Sequence, residues 1–344
     1  MNRRRFLHTS AALLAAAAGC NSSSNRVVLY CAQDREFAES VLAEFTLRMK
    51  LDVAPKYDTE ADKSVSLYLE LIREKERPRC DVHWNNEILA TIRLQRAGVL
   101  DGYVSPSAAP YPQWSKEPRG MWQAFASRAR ILLVNTKLVP EAERPKSLLD
   151  LTQPRWKGKV AMAKPLFGTT ATQAACLFEA LGPERAEQFF KDLAANSVHI
   201  VPGNKQAAEA VSHGEVAIGM TDTDDAMEEK ESGQAVEIIF PDREKNQESP
   251  RMGTLYIPNT LALIRGAPNA DGGKKFIDFL LSAEVETKLA ENASHQIPLN
   301  PQVKAKLPEV ILTPSQVHVM DVDFEKAADM WERSQTFLRN LFAR

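Results

Sequence analysis

No apolar run in the body of the chain reaches the roughly 18 residues that a membrane-spanning helix needs. Charge of one sign is missing too. The 344 residues hold 43 Lys+Arg against 45 Asp+Glu, a formal net charge of −2. A nucleic-acid binder would carry a basic stripe, so no nucleic-acid partner is expected. Catalytic signatures are absent: no Gly-x-Ser-x-Gly elbow, no His-Glu-x-x-His helix and no Gly-rich phosphate loop. His83, His199, His213, His295 and His318 are scattered without metal-ligand spacing. No nucleophile is paired with a base, and the chain is not read as an enzyme. A secreted hydrolase using a metal on Asp222, Asp224 and Asp225 is the competing class. What remains is the profile of an ordinary globular protein, with 44% apolar and 26% charged residues. The length favours two lobes over one.

The first residues are a targeting segment. Arg3-Arg4-Arg5 precede the apolar stretch Ala11–Ala18, and small residues lead to a cysteine. Ala17-Ala18-Gly19-Cys20 resembles a bacterial lipoprotein box, in which Cys20 is lipidated and becomes the first mature residue. Ordinary cleavage nearby without lipid is the bland alternative. Residues 1–20 are thus the signal peptide and 21–26 a polar tether. Arg3-Arg4-Arg5-Phe6-Leu7 resembles the twin-arginine export pattern, while the same basic start also serves the general export route. Losing residues 1–19 removes three arginines and no acid, so the net charge moves from −2 to −5. The mature chain is expected in the periplasm or at the cell surface, anchored to the membrane by lipid. Three cysteines remain, Cys31, Cys80 and Cys176. Cys31 ends one expected strand and Cys80 begins another. On parallel neighbours they lie at opposite ends, so buried free thiols are expected and no disulfide.

Strand and helix patterns alternate. Short apolar runs at Val27–Tyr30, Leu51–Tyr57 and Asp81–Trp84 read as strands, separated by helical spacing at Phe37–Phe45 and Val65–Glu74. A further helix stops at Gly98. Strands follow at Ala129–Asn135 and Val160–Ala163, then helices from Thr169 or Thr170 to Gly182 and from Pro183 to Ala195. Lys205–Ser212 reads as a helix. Glu215–Met220, Ala235–Phe240 and Tyr256–Arg265 read as strands. Helices at Lys274–Leu281 and Glu284–Asn292 follow, and one long amphipathic helix at Phe324–Leu341. This order gives an α/β fold of two lobes: 27–127 with 255–344 as lobe I, and 128–254 as lobe II. Ligand would sit in the cleft beyond the carboxyl ends of the strands.

Several segments carry a family resemblance. Asp81-Val82-His83-Trp84-Asn85, Ser127–Thr136 and Leu149–Val160 resemble segments of the extracellular solute-binding proteins of bacterial ABC importers, in particular the ferric-iron-binding group. Ser212–Val216 and Phe276–Ser282 fit the same template, and Pro154-Arg155-Trp156-Lys157-Gly158 is the most specific match. The resemblance runs from about Val27 to Leu299. It implies a two-lobed periplasmic-binding-protein fold of type II, parallel-rich with helices on both faces. It also implies a monomer that hands a small ligand to an ABC permease and its ATPase, with no resident cofactor.

The loops after the strands supply the site candidates. Asp34 stands where relatives place a metal ligand, or it simply starts the next helix. Asn86 and Glu87 stand where relatives hold iron through a Glu, or Glu87 caps the helix at Ile88. Trp84 is a lid for an organic ligand or ordinary packing. Gly168-Thr169-Thr170 opens a helix whose amides suit an anion, with Arg128 adding positive charge. Asn204 and Tyr256 stand on the expected rim. Where ferric-binding relatives carry two adjacent tyrosines, this chain has Thr221-Asp222-Thr223-Asp224-Asp225. These carboxylates are hard donors for a metal cation, partners for an organic cation, or caps for the following helix. One reading is therefore a metal cation, ferric iron with a synergistic anion, on Asp34, Glu87, Asp222 and Asp224. The alternative is a small organic or phosphorus-bearing anion on Arg128 and the Thr169/Thr170 helix start. A sensory binding protein would keep the same fold.

Overall fold

A computed structural model describes residues 25–58, 65–245 and 247–342. The signal peptide, Cys20 and Asn21 to Ser24 of the tether lie outside them. Among the described residues the strands are β1 (Arg26–Cys31), β2 (Asp52–Tyr57), β3 (Val82–Asn85), β4 (Leu100–Asp101), β5 (Gln123–Asn135), β6 (Val160–Ala163), β7 (His199–Val201), β8 (Ile218–Asp222), β9 (Val236–Ile239) and β10 (Tyr256–Ile264). The α-helices are α1 (Arg35–Met49), α2 (Ser66–Arg73), α3 (Ile88–Arg96), α4 (Gly168–Leu181), α5 (Pro183–Ala195), α6 (Asn204–Ser212), α7 (Thr223–Glu231), α8 (Ala270–Leu280), α9 (Ala283–Glu291), α10 (Phe324–Asp329) and α11 (Trp331–Phe342).

The strands form one continuous path in the order β2-β1-β3-β10-β5-β8-β6-β7, with β4 beside β10 and β9 beside β5. β1 lies parallel to β2 and β3, and β6 lies parallel to β7 and β8. β5 and β10 run antiparallel to their neighbours and connect the two parallel sets. β5 is the strand common to both: residues 123–129 pair with β10, and residues 130–135 pair with β8 and β9. The sequence foretold only 129–135 of it. Gln123, Ser127, Arg128 and Arg130 interrupt its apolar pattern, yet all are buried because the ladder and partner side chains satisfy them.

Packing follows the apolar periodicities. Phe45 of α1 meets Phe276 of α8 edge-on, with ring centroids 4.9 Å apart. Phe337 and Phe342 of α11 pack on Phe178 of α4 and Phe190 of α5. Cys31, Cys80 and Cys176 are buried free thiols. Because Cys31 pairs in register with Trp84, Cys80 lies towards the other end of β1.

Two further differences from the sequence reading concern β8 and the C-terminal helix. The expected strand over Glu215–Met220 is instead β8 at Ile218–Asp222. Its ladder starts where Ile218 meets Val160, since β6 and not the apolar run sets the register. The long C-terminal helix is two helices. The Met330 amide is shared between the carbonyls of Lys326 and Ala327, which tightens the last turn of α10. No Pro or Gly marks that point. The turn seats Trp331 against Arg93 of α3, 4.5 Å from the ring centroid.

His83 in β3 is a core histidine, as its place in a strand implied. Its Nδ1 lies 3.0 Å from the Tyr30 carbonyl oxygen, so Nδ1 carries the proton and donates. Burial pushes its pKa down to about 4. The folded state therefore holds the neutral ring, and the unfolded state takes up a proton first. That stability is present above about pH 6.5 and is lost as pH falls towards 4, roughly 3 kcal/mol in all. Chemical denaturation of His83→Gln at pH 7 and pH 4.5 should show a smaller pH difference than the parent. An unchanged difference would assign the acid loss to other groups.

Candidate functional site

The carboxyl ends of β1, β3, β6, β7 and β8 open onto one small polar cavity. Asp34, Asn86, Arg128, Gly168, Thr169, Thr170, Asn204, Asp222, Asp224 and Asp225 line it, together with Ala163, Phe167 and Gly203. Ten of the residues singled out from the sequence therefore meet in one place. The cavity measures about 20 Å³, room for little more than a water molecule. Any organic solute must part its walls to enter.

Four helices start on this cavity: α1 after Asp34, α4 at Gly168, α6 at Asn204 and α7 after Asp222. None of the four has a side-chain cap, nor do α2 and α5, whereas α3, α8, α9 and α10 do. Their first turns thus lack an N-cap side-chain oxygen, although in α7 the Asp225 amide donates to Asp224 Oδ1 at 3.2 Å. Gly168 has φ +58°, and a Cβ there would meet nothing within 4 Å. Backbone conformation, not space, calls for glycine at that helix start.

Two buried arginines answer the acids. Arg128 forms an ion pair with Asp224 at 3.0 Å. It also donates to the Gln33 side-chain oxygen at 2.8 Å and to the Asn86 carbonyl at 3.0 Å. Burial pulls its pKa down, but Asp224, Asp222, Asp34 and Asp225 outweigh that and hold it above the ordinary arginine value. Arg130 was not singled out from the sequence. It is 1% exposed and pairs with Asp222 at 2.8 Å. It donates as well to Gln173, Asn204, Thr169 and Thr170. The two threonine hydroxyls point their protons elsewhere, Thr169 to Asp222 at 2.6 Å and Thr170 to Asn204 at 2.8 Å. Arg130 stands two residues after Arg128 on β5, on the same strand face. That spacing was the signal available in the sequence.

The charge count decides what such a site can hold. Each helix start contributes about half a positive charge, so four give roughly +2. Two guanidiniums add two more, and Asp34, Asp222, Asp224 and Asp225 supply four negative charges. The sum is near zero. A bare polyvalent cation or a bare polyanion would leave half of these groups unanswered.

Four expectations fall outside the cavity. Trp84 is fully buried and packs on Phe125 with ring centroids 5.6 Å apart, so it is core and not a lid. Glu87 is 1% exposed and caps α3 through the amides of Leu89 and Ala90. Its oxygens also accept from the Asn85 side-chain amide and the Thr172 hydroxyl. Thr223 is buried, and its hydroxyl accepts from the Ala129 amide. Tyr256 donates to the Leu312 carbonyl and lines a separate, largely apolar cavity of about 750 Å³. That cavity is far roomier, and Trp122 and Tyr256 on its wall are bonded to Gln95 and to the Leu312 carbonyl. Among the described residues, Asp222, Asp224 and Asp225 form one cluster with carboxylate oxygens within 4.8 Å of one another.

An α/β scaffold that gathers strand ends and helix starts around one polar cavity is an architecture suited to binding a small ligand. The chain belongs to the bacterial extracellular solute-binding proteins, whose family profile matches residues 90–326. That family binds solutes and is not an enzyme family. The major ferric iron-binding protein of Neisseria meningitidis is 26% identical over 311 residues, 85% of this chain and 86% of that protein. A periplasmic protein of Salmonella typhi, named for binding 2-aminoethylphosphonate, is 27% identical over 228 residues, 64% of this chain and 63% of that protein. Iron-bound HitA from Pseudomonas aeruginosa superposes with a TM-score of 0.81 at 22% identity, covering 92% of this chain and 99% of that one. The fold is thus that of the type II periplasmic binding proteins.

Proposed function

We propose that this protein captures a small zwitterionic solute, bearing an oxyanion at one end and an ammonium group at the other, for an ABC importer. The near-zero charge balance of the cavity carries this reading. The oxyanion would meet the α4 amides, Thr169, Thr170 and Arg128. The cation would meet Asp34, Asp224 and Asp225. Asn86, Asn204 and Asp222 complete the wall. On this reading the lobes are 27–127 with 255–344 and 128–254, turning about β5 and β10. The protein works in the periplasm, held to the membrane by lipid on Cys20, and passes solute to a permease with its ATPase. The Salmonella relative's name supports an aminophosphonate as the solute class.

A second reading rests on the Asp222, Asp224 and Asp225 cluster and the Neisseria relative. In it the cargo is a metal cation, ferric iron with a companion anion. No tyrosine is among the described residues that line the cavity, so such a complex would lack the phenolate charge-transfer colour.

Thermal melts of the form starting at Asn21 separate the two. A ligand bound only by the folded state stabilises by about 2.7 kcal/mol at a hundred times its Kd. 2-Aminoethylphosphonate should raise the melting temperature, while inorganic phosphate alone and ferric citrate should not. A rise with iron salts alone would replace the first reading by the second.

A further inference from the structure

Among the described residues, no cation pairs with the buried carboxylate of Glu87. Burial raises its pKa, against the pull of its hydrogen bonds. It accepts from Thr172 at 2.7 Å, from the Leu89 and Ala90 amides at 2.7 and 2.9 Å, and from the Asn85 side-chain amide at 3.2 Å. A helix cap alone needs only the two amides. The hydroxyl of Thr172 comes from α4, which belongs to the other half of the sheet. One turn before it on α4 stand Thr169 and Thr170 of the cavity wall. On the near side, Asn85 holds the Asn86 amide, and the Asn86 carbonyl holds Arg128.

We infer that Glu87 is a positioning residue: it fixes the amino end of α4 relative to the Asn86 loop and Arg128, and so sets the spacing of the two sides of the solute site. The inference rests on the reading of that cavity as the solute site. A carboxylate suits this place for a specific reason. Oε1 receives the Ala90 amide and Oε2 the Leu89 amide. A glutamine in either orientation would set its own N–H against one of them.

Three variants test this. Thr172→Val keeps the side-chain shape without the hydroxyl. Glu87→Asp keeps a favoured cap residue but falls short of Thr172. The third combines both changes. With 2-aminoethylphosphonate as the probe, each single variant should weaken binding about ten-fold by titration calorimetry. The double variant should lose no more than either single, since one bond is removed twice. The melting temperature of Thr172→Val should stay within a few degrees of the parent. Hydrogen exchange in the ligand-free protein supplies a second readout. Amides of Asn86–Ala90 and Ala171–Ala175 should exchange faster in Thr172→Val, with α5 unchanged. Parent-like affinity with parent-like exchange in both segments would reduce Glu87 to a helix cap. If the parent fails to bind the probe, the zwitterion reading falls, and the exchange result still decides the role of Glu87.

Discussion

Replacing Arg130 with alanine should destabilise the protein by about 3–5 kcal/mol, the usual consequence of leaving a buried carboxylate without its partner. Asp222 would lose its cation in a place where it is 3% exposed. Thr169, Thr170, Asn204 and Gln173 would each lose a donor. Equilibrium unfolding in urea measures the loss. Removing both charges, with Arg130→Ala and Asp222→Ala together, should recover part of it, because no lone buried charge remains. A change under about 1 kcal/mol in the single variant would mean that water reaches Asp222, and the closed network described above would be wrong. On the proposed reading solute binding should fail in Arg130→Ala too, even though Arg130 does not line the cavity, since Arg130 donates to both threonines.

Arg128→Ala should weaken binding of 2-aminoethylphosphonate by at least about 100-fold, the scale seen when one member of a buried charge pair is truncated. Arg128 reaches Gln33, the Asn86 carbonyl and Asp224 at once, so it joins the loops after β1 and β3 to α7. A lysine has one ammonium group in place of a planar fork and cannot repeat the three contacts. Arg128→Lys should therefore resemble Arg128→Ala more than the parent. Calorimetric titration of both variants checks this. A Kd within threefold of the parent for Arg128→Ala would exclude Arg128 from the solute site.

Much of the scaffold was legible in the linear pattern. β6 at Val160–Ala163 and α5 at Pro183–Ala195 fall where the apolar run and the helix-starting proline set them. The loops after the strands were also legible as a cluster, and ten of the residues named there share the cavity wall. Less legible were the residues whose role depends on a distant partner. Glu87 and Asp34 look alike in sequence, each an acid just before a helix. Glu87 is turned inward by Thr172 from a segment 85 residues away, while Asp34 lines the cavity. Arg130 was hidden inside an apolar strand, because its five partners, Asp222 and four neutral side chains, come from α4, α6 and β8.

By itself the sequence determined the alternation of strands and helices and the helix starts that face one end of the sheet. These follow from local rules of periodicity, turn chemistry and backbone freedom, which act within a few residues. The tertiary structure alone decided which acids meet arginines. It also set the register of β8, the break at Met330 and the near-neutral balance of the cavity. Those outcomes depend on charges and hydrogen bonds between segments far apart in the chain, 95 residues between Gln33 and Arg128 and 233 between Arg96 and Asp329, and nothing in the local pattern encodes such distances.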